Sequence, residues 1–148
     1  MHSQLPKISV VTPTYNRSDE LVHLIHSINK QTLESKYFEF IICDDGSTDD
    51  TEQVIKDLLK NINFNLKYIF QKNSGPGNAR NNAVNNAKGE LIIFTDSDCE
   101  AEKNWLKNIY NSYLNDNFDS FGGPDLAKDD FLPIQRAINY SMSSFLTT

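Results

Sequence analysis

Two aspartates one residue apart, Asp96 and Asp98 of TDSD, directly follow the apolar run LIIFT. Carboxylates so placed, where a buried strand turns out of its sheet, can reach one cation together. Hard oxygen ligands in small number suit Mg²⁺ or Mn²⁺, with waters and phosphate oxygens completing the shell. A helix cap near Glu100 would use one of the acids but not account for both. A second acidic pair, Asp44 and Asp45 of DDGSTDD, follows the run FIIC in the same way. A carboxylate there can accept a base N–H or ribose hydroxyls, as acidic residues do in dinucleotide folds. Gly46 permits a turn that a β-carbon would obstruct. Ser47, Thr48 and Asp49 read as the Asx-turn and N-cap of the next helix.

Two further clusters carry polar chemistry. TPTYNR, residues 12–17, leaves an apolar run through Thr12 and Pro13, and Pro13 signals that regular strand pairing ends there. Tyr15 offers an aromatic face for a base and Arg17 a cation for phosphate. NSGPGNAR, residues 73–80, opens a helix. Gly77 allows close backbone approach, and Arg80 lies about one turn in, able to point at a diphosphate or to pair with an acid such as Asp96. The cluster fits neither the dinucleotide glycine pattern nor the Walker pattern. His2, His23 and His26 form no site, the latter two flanking the apolar face of a helix.

The elements that must position these groups alternate along the chain. Residues 8–14, 38–43, 66–70 and 91–95 are short β-rich runs. The first, second and fourth are apolar nearly throughout, as in strands covered on both faces, and the third alternates as an edge strand does. Between them, Leu21, Leu24, Ile25 and Ile28 recur at helical spacing after Ser18, a candidate N-cap. Val54, Ile55, Leu58, Leu59 and Ile62 mark a second helix. Pro76 begins a third, with Ala79, Ala83, Val84 and Ala87 inward and Gly89 as its stop. Trp105, Leu106, Ile109, Tyr110, Tyr113 and Leu114 mark a fourth. Such alternation gives βαβ crossovers and a mostly parallel α/β sheet with helices on both faces, whose ligands bind beyond the carboxyl ends of the strands. The polar clusters should therefore meet on one rim. After a break at 115–119, FGGP suggests a strand and turn, and 131–146 a helix.

The 148 residues suit one domain, with 39% hydrophobic and 23% charged residues. A formal net charge of −6 and scattered Lys and Arg argue against nucleic acid as a partner. A net-acidic protein that binds a nucleotide must neutralise it locally, with a metal, helix N-termini or a few cations. Cys43 and Cys99 end apolar runs and read as buried thiols of a reducing compartment. No signal peptide or apolar run of membrane-spanning length stands out. The expected location is cytoplasmic, with the cytoplasmic membrane face open to a longer parent protein. Oligomeric state leaves no mark in the sequence.

With TPTYNR, DDGSTDDT, NSGPGNARNNAVNNAKGE and TDSDC in this order and spacing, the chain resembles the family 2 inverting glycosyltransferases of the GT-A fold. The resemblance covers nearly the whole chain. It implies that Asp45 binds uracil or another base, that Tyr15 frames it, and that Asp96 and Asp98 form the D-x-D motif, with Asp98 on the metal. Arg80 matches a position near the diphosphate, and FGGPD the strand and turn beside the acceptor. The expected binding set is Thr12, Pro13, Tyr15, Arg17, Asp45, Gly77, Arg80 and Asp96, with Asp98 and Asp96 on Mn²⁺ or Mg²⁺. The implied partners are a nucleoside-diphosphate sugar, a UDP-sugar by default, and a carbohydrate or lipid-linked acceptor. Residues 1–116 would be the donor-binding core of a single domain and 117–148 the start of the acceptor side. The family's catalytic base lies well beyond D-x-D. Asp125, Asp129 and Asp130 come too early for it, so the base is expected beyond Thr148, and the chain reads as truncated before the acceptor half is complete.

Two rival functions are weighed against this. A non-catalytic nucleotide-binding or regulatory domain, such as a phosphoacceptor receiver, wants paired acids after the first strand, where TPTYNR stands. A nucleotidyltransferase wants a glycine-rich loop at that same place. Donor binding without turnover also fits a chain that lacks its base.

Overall fold

The computed structural model describes residues 7–115 together with Ser120 and Gly122. Strands β1 (Ile8–Thr14), β2 (Phe38–Asp44), β3 (Asn65–Phe70) and β4 (Leu91–Phe94) alternate with helices α1 (Ser18–Asn29), α2 (Thr51–Leu58), α3 (Pro76–Asn85) and α4 (Trp105–Asn115). These residues fall in the first of two compact units, Met1–Asn115; the second, Asp116–Thr148, lies outside the described residues apart from Ser120 and Gly122. The strand and turn expected at FGGP, the helix expected over 131–146, and Asp125, Asp129 and Asp130 fall there.

All strand pairs are parallel, in the order β3-β2-β1-β4. β1 and β2 are buried at every position, which is why their sequences are apolar nearly throughout. On one face Ile8, Val10, Phe40 and Ile42 pack with Leu21, Leu24, Ile25 and Ile28 of α1, Ile55 of α2 and Leu106 of α4. Full burial of each such Leu or Ile contributes roughly 2 kcal/mol. On the other face Val11, Ile41 and Cys43 lie under Ala79 and Ala83 of α3. The chain steps outward from β1 to β3, then returns past β1 to β4, with α3 opposite α1 and α2. That reversal places a topological switch point between the carboxyl ends of β1 and β4. The segment after β4 is stitched to the end of α1: Ala101 N–H donates to Ser27 Oγ, and Leu106 N–H to Gln31 Oε1, both at 2.9 Å.

Several local expectations need correction. Ser18 is the first helical residue rather than the cap, and its N–H is accepted by the Asp49 carboxylate at 3.3 Å. Asp49 also accepts from Thr51 N–H (3.1 Å) and Thr51 Oγ1 (2.6 Å), so one side chain serves the starts of α1 and α2. Pro13 ends pairing only toward β4. Thr95 N–H donates to the Val11 carbonyl, while Pro13 and Thr14 stay in register with Cys43 and Asp44. The ring replaces an N–H on the side where β4 has already ended.

Gly89 does not stop α3, which closes at Asn86. A β-carbon on Gly89 would lie 2.5 Å from Ser9 N, so its role is close approach to β1. Leu59 and Leu114, expected inward, are exposed, because α2 ends at Leu58 and Leu114 falls on the outer face of α4. Cys43 is buried, whereas Cys99, beyond the end of β4, is only half-buried. His23 and His26 lie exposed on α1. No helix of the described residues is long and apolar enough to cross a membrane.

Candidate functional site

A cleft of about 540 Å³ opens at the switch point, lined by Pro13, Thr14, Tyr15 and Arg17 after β1, Asp45 after β2, Asn73, Gly75, Pro76 and Arg80 around the start of α3, and Asp96, Ser97 and Asp98 after β4. All the polar clusters of the sequence meet here. Pro13, Tyr15, Arg17, Asp45, Arg80, Asp96 and Asp98 are brought together as expected. Two residues are not. Thr12 is buried, with its hydroxyl donating to the Thr95 carbonyl at 3.0 Å, so it ties the end of β4 to β1 beneath the cleft. Gly77 is not part of the lining, and a β-carbon there would have open space within 4 Å. Asn73, Gly75 and Pro76 line the wall instead. The Gly-Pro pair is the readable signal for this: Gly75 at φ +95° and Pro76 as the first helical residue turn the open end of α3 toward the cleft.

Tyr15 is 48% exposed and lines the cleft at the end of β1. Asn16 follows with a positive φ of 50°, a conformation that Asn tolerates. It holds the opposite loop: Asn16 N–H donates to Ser47 Oγ (2.8 Å) and Asn16 Oδ1 accepts Thr48 N–H (2.7 Å). Asp44 faces inward, accepting Ser47 N–H and the Tyr68 hydroxyl, both at 2.7 Å, and takes no place on the cleft wall. Burial and that bond push the Tyr68 phenol well above its ordinary value. Gly46, at φ +86°, is required where it stands, since a β-carbon would lie 2.9 Å from Asn73 N.

Asp45 is only 3% exposed, yet its surroundings favour the ionised form. Burial alone would raise its pKa, but the donors around it outweigh that and hold it below the usual carboxylate value. Oδ1 accepts Gln71 Nε2 (2.7 Å) and Ser74 N–H (2.9 Å), and Oδ2 accepts Gly75 N–H (2.8 Å). A carboxylate has about four acceptor sites, so Oδ2 retains one for an outside donor. Asp45 is therefore the pin of the 73–75 loop as well as part of the cleft wall. Gln71, which sequence reasoning missed, gives no periodic or motif signal; only the register of β3 against β2, which sets Phe70 beside Asp44, makes it a partner of Asp45.

The acids at the end of β4 are paired across the cleft. Arg80 Nη2 lies 2.7 Å from Asp96 Oδ1, as the sequence allowed, and Arg17 Nη1 lies 3.1 Å from Asp98 Oδ2 and 3.6 Å from Glu20 Oε1. Both aspartates are more than half exposed. Pairs this open are worth little to stability, about 0–1 kcal/mol, and can be exchanged for a ligand. The wall thus joins an aromatic face, a nearly saturated carboxylate, two guanidiniums, the N-terminal end of α3 and two adjacent carboxylates.

A sequence profile for Glycosyl transferase family 2 matches residues 9–147. The chain belongs to this family. It is 37% identical over 101 residues to the poly(ribitol-phosphate) beta-N-acetylglucosaminyltransferase TarS of Staphylococcus aureus, covering 68% of this chain and 18% of that protein. It is 40% identical over 98 residues to the GalNAc(5)-diNAcBac-PP-undecaprenol beta-1,3-glucosyltransferase of Campylobacter jejuni, covering 65% and 31%. The chain thus spans less than a third of either relative. Staphylococcus aureus TarS 1–349 in complex with UDP-GlcNAc superposes with a TM-score of 0.69 at 33% identity, over 80% of this chain and 37% of that one. The mannosyltransferase PcManGT of Pyrobaculum calidifontis, in complex with GDP-Man and Mn²⁺, gives 0.62 at 26% identity, over 65% and 28%. The sheet and helices are those of the GT-A fold.

Proposed function

We propose that the cleft binds a nucleoside-diphosphate sugar and that the domain transfers its sugar to an acceptor hydroxyl with inversion. The observation that carries this reading is the meeting of Tyr15, Asp45, Arg17, Arg80, Asp96 and Asp98 in one cleft at the switch point. Tyr15 offers a stacking face, and the open site of Asp45 Oδ2 accepts one N–H or hydroxyl of the nucleoside. The arginines and the first turn of α3 face the anionic part. A UDP-sugar is the default donor, supported by the similarity to TarS in complex with UDP-GlcNAc.

The donor set at the end of β4 fits a divalent cation. Asp96 and Asp98 give two hard, exposed oxygen ligands, and no third His, Cys, Asp or Glu joins them among the described residues. Diphosphate and water oxygens would supply the remaining ligands, a donor set that suits Mg²⁺ or Mn²⁺. The cation supplies neutralisation of the charge that develops on the leaving diphosphate. Arg17 and Arg80 add cationic donors to the same oxygens.

The acceptor is a carbohydrate or lipid-linked hydroxyl, in keeping with the acceptors in the names of the Staphylococcus and Campylobacter relatives. Its deprotonation requires a base, a role we assign to none of the described residues. Action at the cytoplasmic face of the membrane belongs to the same reading. Equilibrium dialysis with UDP-GlcNAc and GDP-mannose at fixed Mn²⁺ tests it. Saturable one-to-one uptake of either sugar nucleotide is expected, and uptake of neither would overturn the reading.

A further inference from the structure

Asn82 on helix α3 and Asn86, the residue that caps the helix, lie one turn apart, where each engages β3 or the segment that follows it. The Lys67 ammonium on β3 donates to Asn86 Oδ1 at 2.8 Å. Asn86 Nδ2 donates to Asn82 Oδ1 at 3.2 Å and to the Asn82 carbonyl at 2.9 Å. Asn82 Nδ2 donates to Gln71 Oε1 at 2.8 Å, and Gln71 Nε2 donates to Asp45 Oδ1 at 2.7 Å. Lys67, Asn82, Asn86 and Gln71 are all half-buried, which shelters the chain of bonds from competing water.

Every bond runs the same way, from the cation to the carboxylate. A carboxamide donates only through nitrogen and accepts only through oxygen, an ammonium only donates, and a carboxylate only accepts. The two charged ends therefore fix the orientation of the three amides between them. Aligned dipoles of this kind polarise one another, so each bond strengthens the next. Gln71 Nε2 also donates to Ser74 Oγ at 2.7 Å, so the inner end of the chain grips the 73–75 loop twice.

We infer that Lys67, Asn86, Asn82 and Gln71 form a positioning relay that holds the Asp45 carboxylate, and with it the 73–75 loop, in the orientation that receives the nucleoside part of the ligand. The identity of that ligand rests on the nucleotide reading above, whereas the relay rests on hydrogen bonds of the chain itself. Asp45 alone touches the ligand, and the other four residues act through it. The relay serves the nucleoside end of the cleft and leaves the diphosphate end, at Asp96, Asp98 and Arg17, to other residues.

Asn82→Asp tests this, because it places a carboxylate oxygen opposite Gln71 Oε1. Gln71 must then turn its amide toward residue 82 and present its own oxygen to Asp45. Calorimetry on the full chain with saturating Mn²⁺ should show UDP affinity falling about tenfold, the worth of one charge-assisted hydrogen bond. Inorganic pyrophosphate, which lacks a nucleoside, should bind within about twofold of the wild type. Lys67→Met keeps the aliphatic stem, removes only the outer cation and should lower UDP affinity about threefold, so it serves if Asn82→Asp folds poorly. Unchanged UDP affinity, or equal loss of UDP and pyrophosphate, would overturn the relay. If the wild type binds neither ligand, the nucleotide reading fails. The relay is then decided by the amide resonances of Ser74 and Gly75 without ligand, which must move in the variants if it holds and whose constancy would refute it.

Discussion

Replacing Asp45 by Asn removes a charge and turns one of two acceptor oxygens into a donor. Asp45 is almost wholly buried and receives Gln71 Nε2, Ser74 N–H and Gly75 N–H at 2.7–2.9 Å. Whichever way the new amide turns, its NH₂ faces at least one of these donors and leaves it unsatisfied. One buried orphan donor costs about 1–3 kcal/mol, and the remaining bonds, now to a neutral oxygen, weaken by about 1 kcal/mol more. The expected loss is about 2–4 kcal/mol at neutral pH, a fall in Tm of roughly 6–12 °C for a chain of this size.

The pH dependence of the difference has a definite sign. The folded Asp45 titrates below its ordinary 3.8, so its stabilisation is complete above that value and is lost as pH falls through the folded pKa. Urea denaturation of wild type and Asp45→Asn from neutral pH down to about pH 2 measures both effects. The gap between the two curves should narrow below about pH 4. Equal stability at neutral pH, or a gap that stays constant into acid, would refute the role given to Asp45.

Tyr15→Ala should leave the melting temperature within about 2 °C, since the ring is 48% exposed, and should lower UDP affinity about tenfold by loss of the stacking face, read by calorimetry. Asp49→Ala removes acceptors from the starts of α1 and α2 and should destabilise the fold by about 1–2 kcal/mol in urea. Gly89→Ala forces a β-carbon against the backbone of Ile8 and Ser9 and should cost about 2–3 kcal/mol by the same assay, although residue 89 does not line the cleft.

The α/β architecture could be read from the chain because β1 and β2 are buried on both faces, and burial on both faces leaves a continuous apolar run. The edge position of β3 showed in its mixed pattern, and the small inner face of α3 in Ala79 and Ala83. The cleft was legible at its acids and at Tyr15, since polar groups directly after apolar strand runs have few other uses. What stayed hidden depends on register between elements far apart in sequence. The pairing of Arg17 with Asp98 spans 81 residues, and Thr12 looked like a wall residue until its hydroxyl was seen to face the Thr95 carbonyl. Asn82 and Asn86 look like the solvated side of a helix, and nothing in their spacing names Lys67 or Gln71 as partners. Ser18 and Gly89 have the residue types of helix punctuation, but Asp49 from another loop and the close pass of β1 decide what each does.

The central claim is that this cleft holds a nucleoside diphosphate through a divalent cation at Asp96 and Asp98. Calorimetric titration of UDP with and without Mn²⁺, on the wild type and on Asp98→Asn, tests it most directly. The account predicts that Mn²⁺ strengthens UDP binding at least about tenfold in the wild type, and that Asp98→Asn abolishes most of that gain while metal-free binding is preserved. UDP binding that is indifferent to Mn²⁺, or a Mn²⁺ effect that survives Asp98→Asn, would contradict it.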